Sequence, residues 1–191
     1  MTNAPMKQPS SAAKIFIAAI LVGFAAMLIT SSVYRTKHPS LTKFVQTRSA
    51  APAETTSDNS AHIADLMGKL QKDPNNVKLI EEIAQHFMED KEFSQARKFI
   101  QRGIAAQPNN AHLFYMLGMA NFKLESFNKA AGAFETSLTI AEDPSARYNL
   151  GVLLKYYLDK PAEAKEQFEK IVNSSASNAL KAAAQKELND K

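Results

Sequence analysis

Three sets of positions in the second half of the chain recur every 34 residues: Ala96, Ala130 and Ala164; Ile100, Phe134 and Phe168; Phe93, Phe127 and Pro161. A period of that length is one pair of antiparallel helices, a unit too small to bury its own apolar face, so successive units must stack into a solenoid. The apolar residues inside each unit agree. Ile80, Ile83, Ala84 and Phe87 fall at i, i+3, i+4 and i+7, and Phe114, Leu117, Gly118 and Asn121 repeat that register. Ahead of these helices stand Asp73-Pro74-Asn75-Asn76 and Gln107-Pro108-Asn109-Asn110, because proline cannot continue the preceding helix and asparagine tolerates turn geometry. The small residues Ala84, Gly118 and Gly151 have Ala96, Ala130 and Ala164 as counterparts on the second helix of each pair. Close approach of the two helices is expected there, and bulk at either position should separate them.

The third unit departs from strict periodicity. Its first helix, with Arg147, Leu150, Gly151 and Leu154, arrives one residue early, while Pro161 and Ala164 return to the period, which predicts a longer turn around Asp159-Lys160-Pro161. Asp143-Pro144 fits a helix N-cap followed by proline at the first helical position. The reading is all-α, with repeats over about 77–110, 111–143 and 144–176. A helix over 61–72, with Ile63, Leu66, Met67 and Leu70 on one face, precedes them. A polar capping helix over 177–189, with Leu180, Ala184 and Leu188, closes the stack, making eight helices in a domain over 61–189.

Ahead of this domain lies a different kind of sequence. A tail over 1–14 leads into 15–33, a run of 19 residues without a charge, and a helix rising 1.5 Å per residue needs roughly 20 residues to cross a ~30 Å hydrocarbon core. A transmembrane helix is therefore expected over 15–33; a cleaved signal peptide fits the basic start and the Thr30-Ser31-Ser32 end as well. The segment over 34–60 is basic at first and then rich in Ser, Thr, Ala and Pro, which predicts a flexible tether. Arg35, Lys37, Lys43 and Arg48 after the run outnumber Lys7 and Lys14 before it, an arrangement that puts the C-terminal domain in the cytoplasm by the positive-inside rule.

The formal net charge of +4 belongs to this N-terminal region, because from Ala61 onward 17 basic residues balance 17 acidic ones. Without a basic face to displace counterions, nucleic-acid binding is not expected. The absence of cysteine removes disulfides, thiolate zinc sites, thiol catalysis and a lipidated cysteine together. No two of His38, His62, His86 and His112 sit at i, i+4 with a glutamate between them, so no metal site is expected. None of the six glycines forms a phosphate loop, and the carboxylate pairs Glu81-Glu82 and Glu163/Glu166 read as solvated helix faces. Neither catalysis nor a cofactor is expected.

The Leu-Gly pairs Leu117-Gly118 and Leu150-Gly151, the periodic alanines, the Ile100/Phe134/Phe168 trio and the Pro-Asn-Asn turns together resemble the tetratricopeptide repeat (TPR) family over 61–189. Asn121 and Leu154 depart from the family's tyrosine, and Ile80, Phe114 and Arg147 stand where it has tryptophan, with Arg147 bearing most on the packing of unit three. The resemblance implies a TPR helical-hairpin solenoid of about three full repeats plus flanking helices behind one transmembrane helix. It also implies a peptide-binding groove on the first helices. The groove positions that carry over are Lys78, Glu81, Gln85 and Met88 in unit one, His112, Tyr115, Met119 and Phe122 in unit two, and Tyr148, Val152 and Lys155 in unit three. Packing of some of these against neighbouring repeats or the terminal helix is the alternative. A carboxylate clamp of lysines and asparagines is not reproduced by Asn149, Lys78 and Lys155.

Anchor, tether and repeats together look like membrane-anchored bacterial TPR proteins, including the TPR subunits of cytochrome c biogenesis and haem lyase complexes. That likeness implies a single-pass protein of the bacterial inner membrane with its TPR domain in the periplasm. It would there act as an assembly factor or chaperone holding a protein or peptide client, such as an apocytochrome or a subunit of an assembly complex. The flanking charges instead favour a cytoplasm-facing scaffold or receptor, and a structural subunit of an envelope complex is a further reading.

Overall fold

The computed structural model describes residues 56–190; the expected tail over 1–14, the expected span over 15–33 and all but the last residues of the expected tether lie outside the described residues. Among the described residues there are eight helices: α1 (Thr56–Lys72), α2 (Val77–Glu89), α3 (Phe93–Ala106), α4 (Ala111–Lys123), α5 (Phe127–Ile140), α6 (Pro144–Tyr156), α7 (Pro161–Val172) and α8 (Asn178–Asn189). The pairs α2/α3, α4/α5 and α6/α7 are the three hairpins, and each packs on the next. No described helix is long and apolar enough to cross a membrane.

One boundary differs from the sequence reading. The composition predicts a tether reaching Ser60, but α1 begins at Thr56. Apolar periodicity locates only the face that packs, here Leu66 and Leu70. Once that face has fixed a helix, propagation upstream adds one backbone hydrogen bond per residue ordered, so the helix outruns the pattern.

The first helix of each hairpin starts at a side chain with an acceptor oxygen. Asn76 and Asn110 are N-caps: Asn76 Oδ1 accepts from Leu79 N at 3.3 Å, and Asn110 Oδ1 from His112 N at 3.0 Å and Leu113 N at 3.3 Å. Asp143 Oδ1 accepts from Ser145 N at 2.8 Å, with Pro144 at the first helical position where its missing N–H costs nothing. Each hairpin turns through a left-handed residue, Lys91, Glu125 and Asp159, with φ of 63°, 56° and 53°. The three lie 34 residues apart, so the period holds to the residue at the turns. In the first two, Glu92 N donates to Phe87 O at 2.8 Å and Ser126 N to Asn121 O at 2.9 Å, the six-to-one bond that closes a helix end. Unit three has four linker residues, 157–160, where the others have three, and Lys160 N reaches back to Leu154 O at 2.9 Å.

The core runs along the stack. Leu66 and Leu70 of α1 pack with Ile80 and Ile83. Val77, Ala84, Ala96, Ile100 and Leu113 form the next layer. The largest cluster joins units two and three to Leu180 and Ala184 of α8. At the hairpin pivots, Phe134 fills the space over Gly118 and Phe168 the space over Gly151. A Cβ on Gly118 would lie 2.6 Å from the Phe134 ring, and one on Gly151 2.7 Å from the Phe168 ring. Arg147 does not disturb this packing. Largely buried, its guanidinium donates to Gln167 Oε1 on α7 at 2.7 Å and, through Nε, to Glu142 Oε1 at 2.7 Å. These bonds bind α6 to its partner helix and hold the Glu142 carboxyl below its ordinary pKa.

Candidate functional site

The first helices α2, α4 and α6 carry all of the expected groove positions, and the structure separates them into an open and a covered set. Lys78, Gln85 and His112 are exposed or half-exposed, and Glu81 and Met88 are half-buried. Glu81 Oε1 accepts from the N-cap side chain Asn110 Nδ2 at 3.0 Å, tying α2 to the start of α4, and Gln85 Nε2 donates to Glu89 Oε1 at 3.0 Å. Gln85, Met88, His112, Tyr115, Met116 and Met119 line a recess of about 80 Å³ between units one and two. His112 stacks on Tyr115 at the rim, with ring centroids 6.2 Å apart and planes 20° from parallel.

The remaining positions correct the expectation of a groove running the length of the stack. Phe122, Tyr148 and Val152 belong to the core, as do Tyr115 and Met119, whose side chains form the floor of the recess, and Lys155 is half-buried. Phe122 meets the edge of Tyr157 at 5.0 Å between ring centroids, which closes the end of α4 against unit three. In unit three the face is occupied by the chain's own α8. Glu187 is the centre of that contact: it accepts from Tyr156 Oη at 2.7 Å, from Lys155 Nζ at 3.2 Å and from Tyr148 Oη at 3.5 Å. Lys155 Nζ also donates to the backbone carbonyls of Glu187 at 2.7 Å and Asp190 at 3.1 Å, taking the place of water at the end of α8. A peptide would have to displace α8 to reach this unit.

Between the open recess and the covered unit lies a buried polar link. Asn149 Nδ2 donates to Tyr115 Oη at 3.3 Å and contacts Met119 Sδ at 3.5 Å, while its Oδ1 has no protein partner. Burial pushes the Tyr115 hydroxyl up to about 12, with the Asp143 charge adding to the shift and the Asn149 bond opposing it. Because the folded pKa is raised, this stabilisation is complete below the unfolded value near 10 and disappears as pH rises through about 12. Thermal melts between pH 8 and 12 should show a smaller alkaline loss in Tyr115→Phe than in the parent chain, by about 2 kcal/mol. Equal losses would mean that Tyr115 does not resist ionisation.

The sequence reading missed a second recess, of about 460 Å³, whose lining includes Arg97, Gln101, Phe114, Asn121 and Lys129 from α3, α4 and α5. Asn121 is buried and its Oδ1 has no protein partner. The available signal was Asn121 itself, a polar residue where the repeat resemblance has tyrosine.

Residues 111–144, one hairpin with its caps, match the tetratricopeptide repeat family. No curated protein matches the sequence. Among solved structures, a crystal structure of MamA is 20% identical, covering 70% of this chain and 86% of that one at a TM-score of 0.60. MamA from Desulfovibrio magneticus RS-1 is 21% identical over 61% of this chain and 66% of that one, at a TM-score of 0.57. TTC0263, described as a thermophilic TPR protein of Thermus thermophilus, is 14% identical over 70% of this chain and 74% of that one, at a TM-score of 0.61. At these identities the likeness shows the fold alone, an all-helical TPR hairpin stack.

Proposed function

We propose that this chain is a non-catalytic interaction module that holds a short segment of a partner polypeptide between units one and two. The observation that carries this reading is the recess lined by Met88, Met116, Met119 and Tyr115, with Gln85 and His112 at its polar rim. Thioethers adapt to apolar side chains of different shape, and an aromatic wall with a polar rim suits one apolar anchor residue on an extended or helical peptide. Anchored through 15–33 and facing the periplasm of a bacterial inner membrane, such a module serves as an assembly factor or chaperone. The client class we propose, an apocytochrome or a subunit of an assembly complex, rests on the anchor, tether and repeat arrangement read from the sequence.

Gln85 and His112 are exposed and outside the core, so changing them removes only the Gln85–Glu89 bond and the His112–Tyr115 stacking at the rim. The double variant Gln85→Glu, His112→Glu should bind peptides from apocytochromes and other exported chains at least about 10-fold more weakly by fluorescence polarisation, with unchanged helical circular dichroism. Unchanged affinity would place the contact elsewhere. A reporter active only outside the cytoplasm and one fluorescent only inside, each fused at Lys191, test the side of the membrane. An internal signal would replace the envelope role with that of a cytoplasmic scaffold. A fixed place in a larger envelope assembly is the second reading, favoured by the recess at Asn121, where a partner's donor would satisfy the orphaned oxygen.

A further inference from the structure

At the other end of the stack, where α1 meets α2, three ligand-bearing side chains converge. Glu82 and His86 sit one turn apart on α2, and His62 reaches them from α1, so that one ligand atom from each lies within 4.8 Å of the others. His62 Nε2 is 3.5 Å from Glu82 Oε1, and the two imidazole rings meet edge to face with centroids 4.9 Å apart. His86 Nδ1 is buried without a hydrogen-bond partner, and the Glu89 carboxylate stands 3.8 Å from it, too far to accept. We infer that His62, Glu82 and His86 form a binding site for a divalent transition metal, zinc, that joins α1 to the first hairpin.

The donor set selects the ion. Two imidazoles and one carboxylate suit zinc and its neighbours, whereas calcium and magnesium take oxygen ligands. A tetrahedral ion roughly 2.0–2.2 Å from each donor places the donors about 3.4 Å apart. One pair already stands at 3.5 Å, and small rotations of the exposed His62 and Glu82 side chains bring the third in. Three protein ligands leave the fourth position to water or to a donor from a partner. Closing Glu89 onto the orphaned nitrogen would orient His86, the usual second partner of a metal-bound imidazole. The sequence criterion of two histidines on one helix could not find this set, because its histidines lie on different helices. The ion would add a cross-link to a helix otherwise held through Leu66 and Leu70, and α1 is the element that leads toward the N-terminal segment.

The test uses the untagged full chain and zinc chloride in competition with a chromophoric zinc chelator. One zinc per chain is expected, with affinity reduced at least about 10-fold in His62→Ala and in Glu82→Gln, and unchanged in His38→Ala. Both site substitutions are at exposed positions, so circular dichroism should confirm an intact fold. Hydrogen exchange of the α1 amides should slow on adding zinc to the parent chain and not to His62→Ala. Absence of stoichiometric binding, or binding that survives loss of His62, overturns the assignment.

Discussion

Phe134→Ala is expected to lower the free energy of unfolding by about 3–5 kcal/mol, and Gly118→Ala by about 1–3 kcal/mol although alanine is the better helix former. Both effects come from one contact. Phe134 has no exposed surface, and three atoms of its ring would lie within 2.8 Å of a Cβ on Gly118, so neither partner can give without moving a helix. Gly132 is the control, because a Cβ there meets nothing within 4 Å. Gly132→Ala should therefore stabilise by up to about 1 kcal/mol through helix propensity alone. Unit one supplies the rescue: its equivalent positions are Ala84 and Ile100, 16 residues apart like Gly118 and Phe134. The double variant Gly118→Ala, Phe134→Ile rebuilds that pair and should recover most of the Gly118→Ala loss in urea denaturation. If Gly118→Ala is tolerated as well as Gly132→Ala, the ring does not set the helix spacing.

Glu187→Ala should cost about 2–3 kcal/mol, less than a fully buried ion pair because Lys155 and Glu187 keep some access to water. Their side chains retain 18% and 11% of their exposure. The substitution leaves Lys155 Nζ with carbonyl partners alone and removes the acceptor of Tyr156 Oη. It should also free α8 locally, so that amides of α8 exchange faster while those of α2 and α3 do not. Glu187→Gln retains an acceptor for the tyrosines but loses the charge, and should fall between the two. A uniform rise in exchange along the whole stack would show that α8 is not a separable cap but part of one cooperative core.

The hairpin stack is legible because the repeat makes the same physical demand three times. The Pro-Asn-Asn turns recur ahead of α2 and α4, the alanine and glycine positions mark close helix approach, and the positions 100, 134 and 168 are apolar in every unit; the N-cap role of Asn76 and Asn110 and the seating of Phe134 over Gly118 came from the structure. The left-handed turn residues share the period but were invisible, since none of Lys91, Glu125 and Asp159 is the glycine that would have announced them. Arg147 was also ambiguous. Its sequence position bears on the packing of unit three, and only its neighbours Glu142 and Gln167 turn it into a link between helices.

Local order therefore came from the sequence by itself: the number of hairpins, their register, the turns ahead of them and the Asp143 cap. These depend on residues within one repeat, whose spacing along the chain is their spacing in space. The tertiary structure alone decided which groove positions stay open and which side chains meet across the stack. Lys155 reaches Glu187, Tyr115 reaches Asn149, and His62 reaches Glu82 and His86 only because separate helices pack at defined heights along the solenoid. A periodic pattern tells which face of a helix turns inward; it does not tell which later helix will arrive to cover that face, because that depends on the summed rotation and rise of every unit between them.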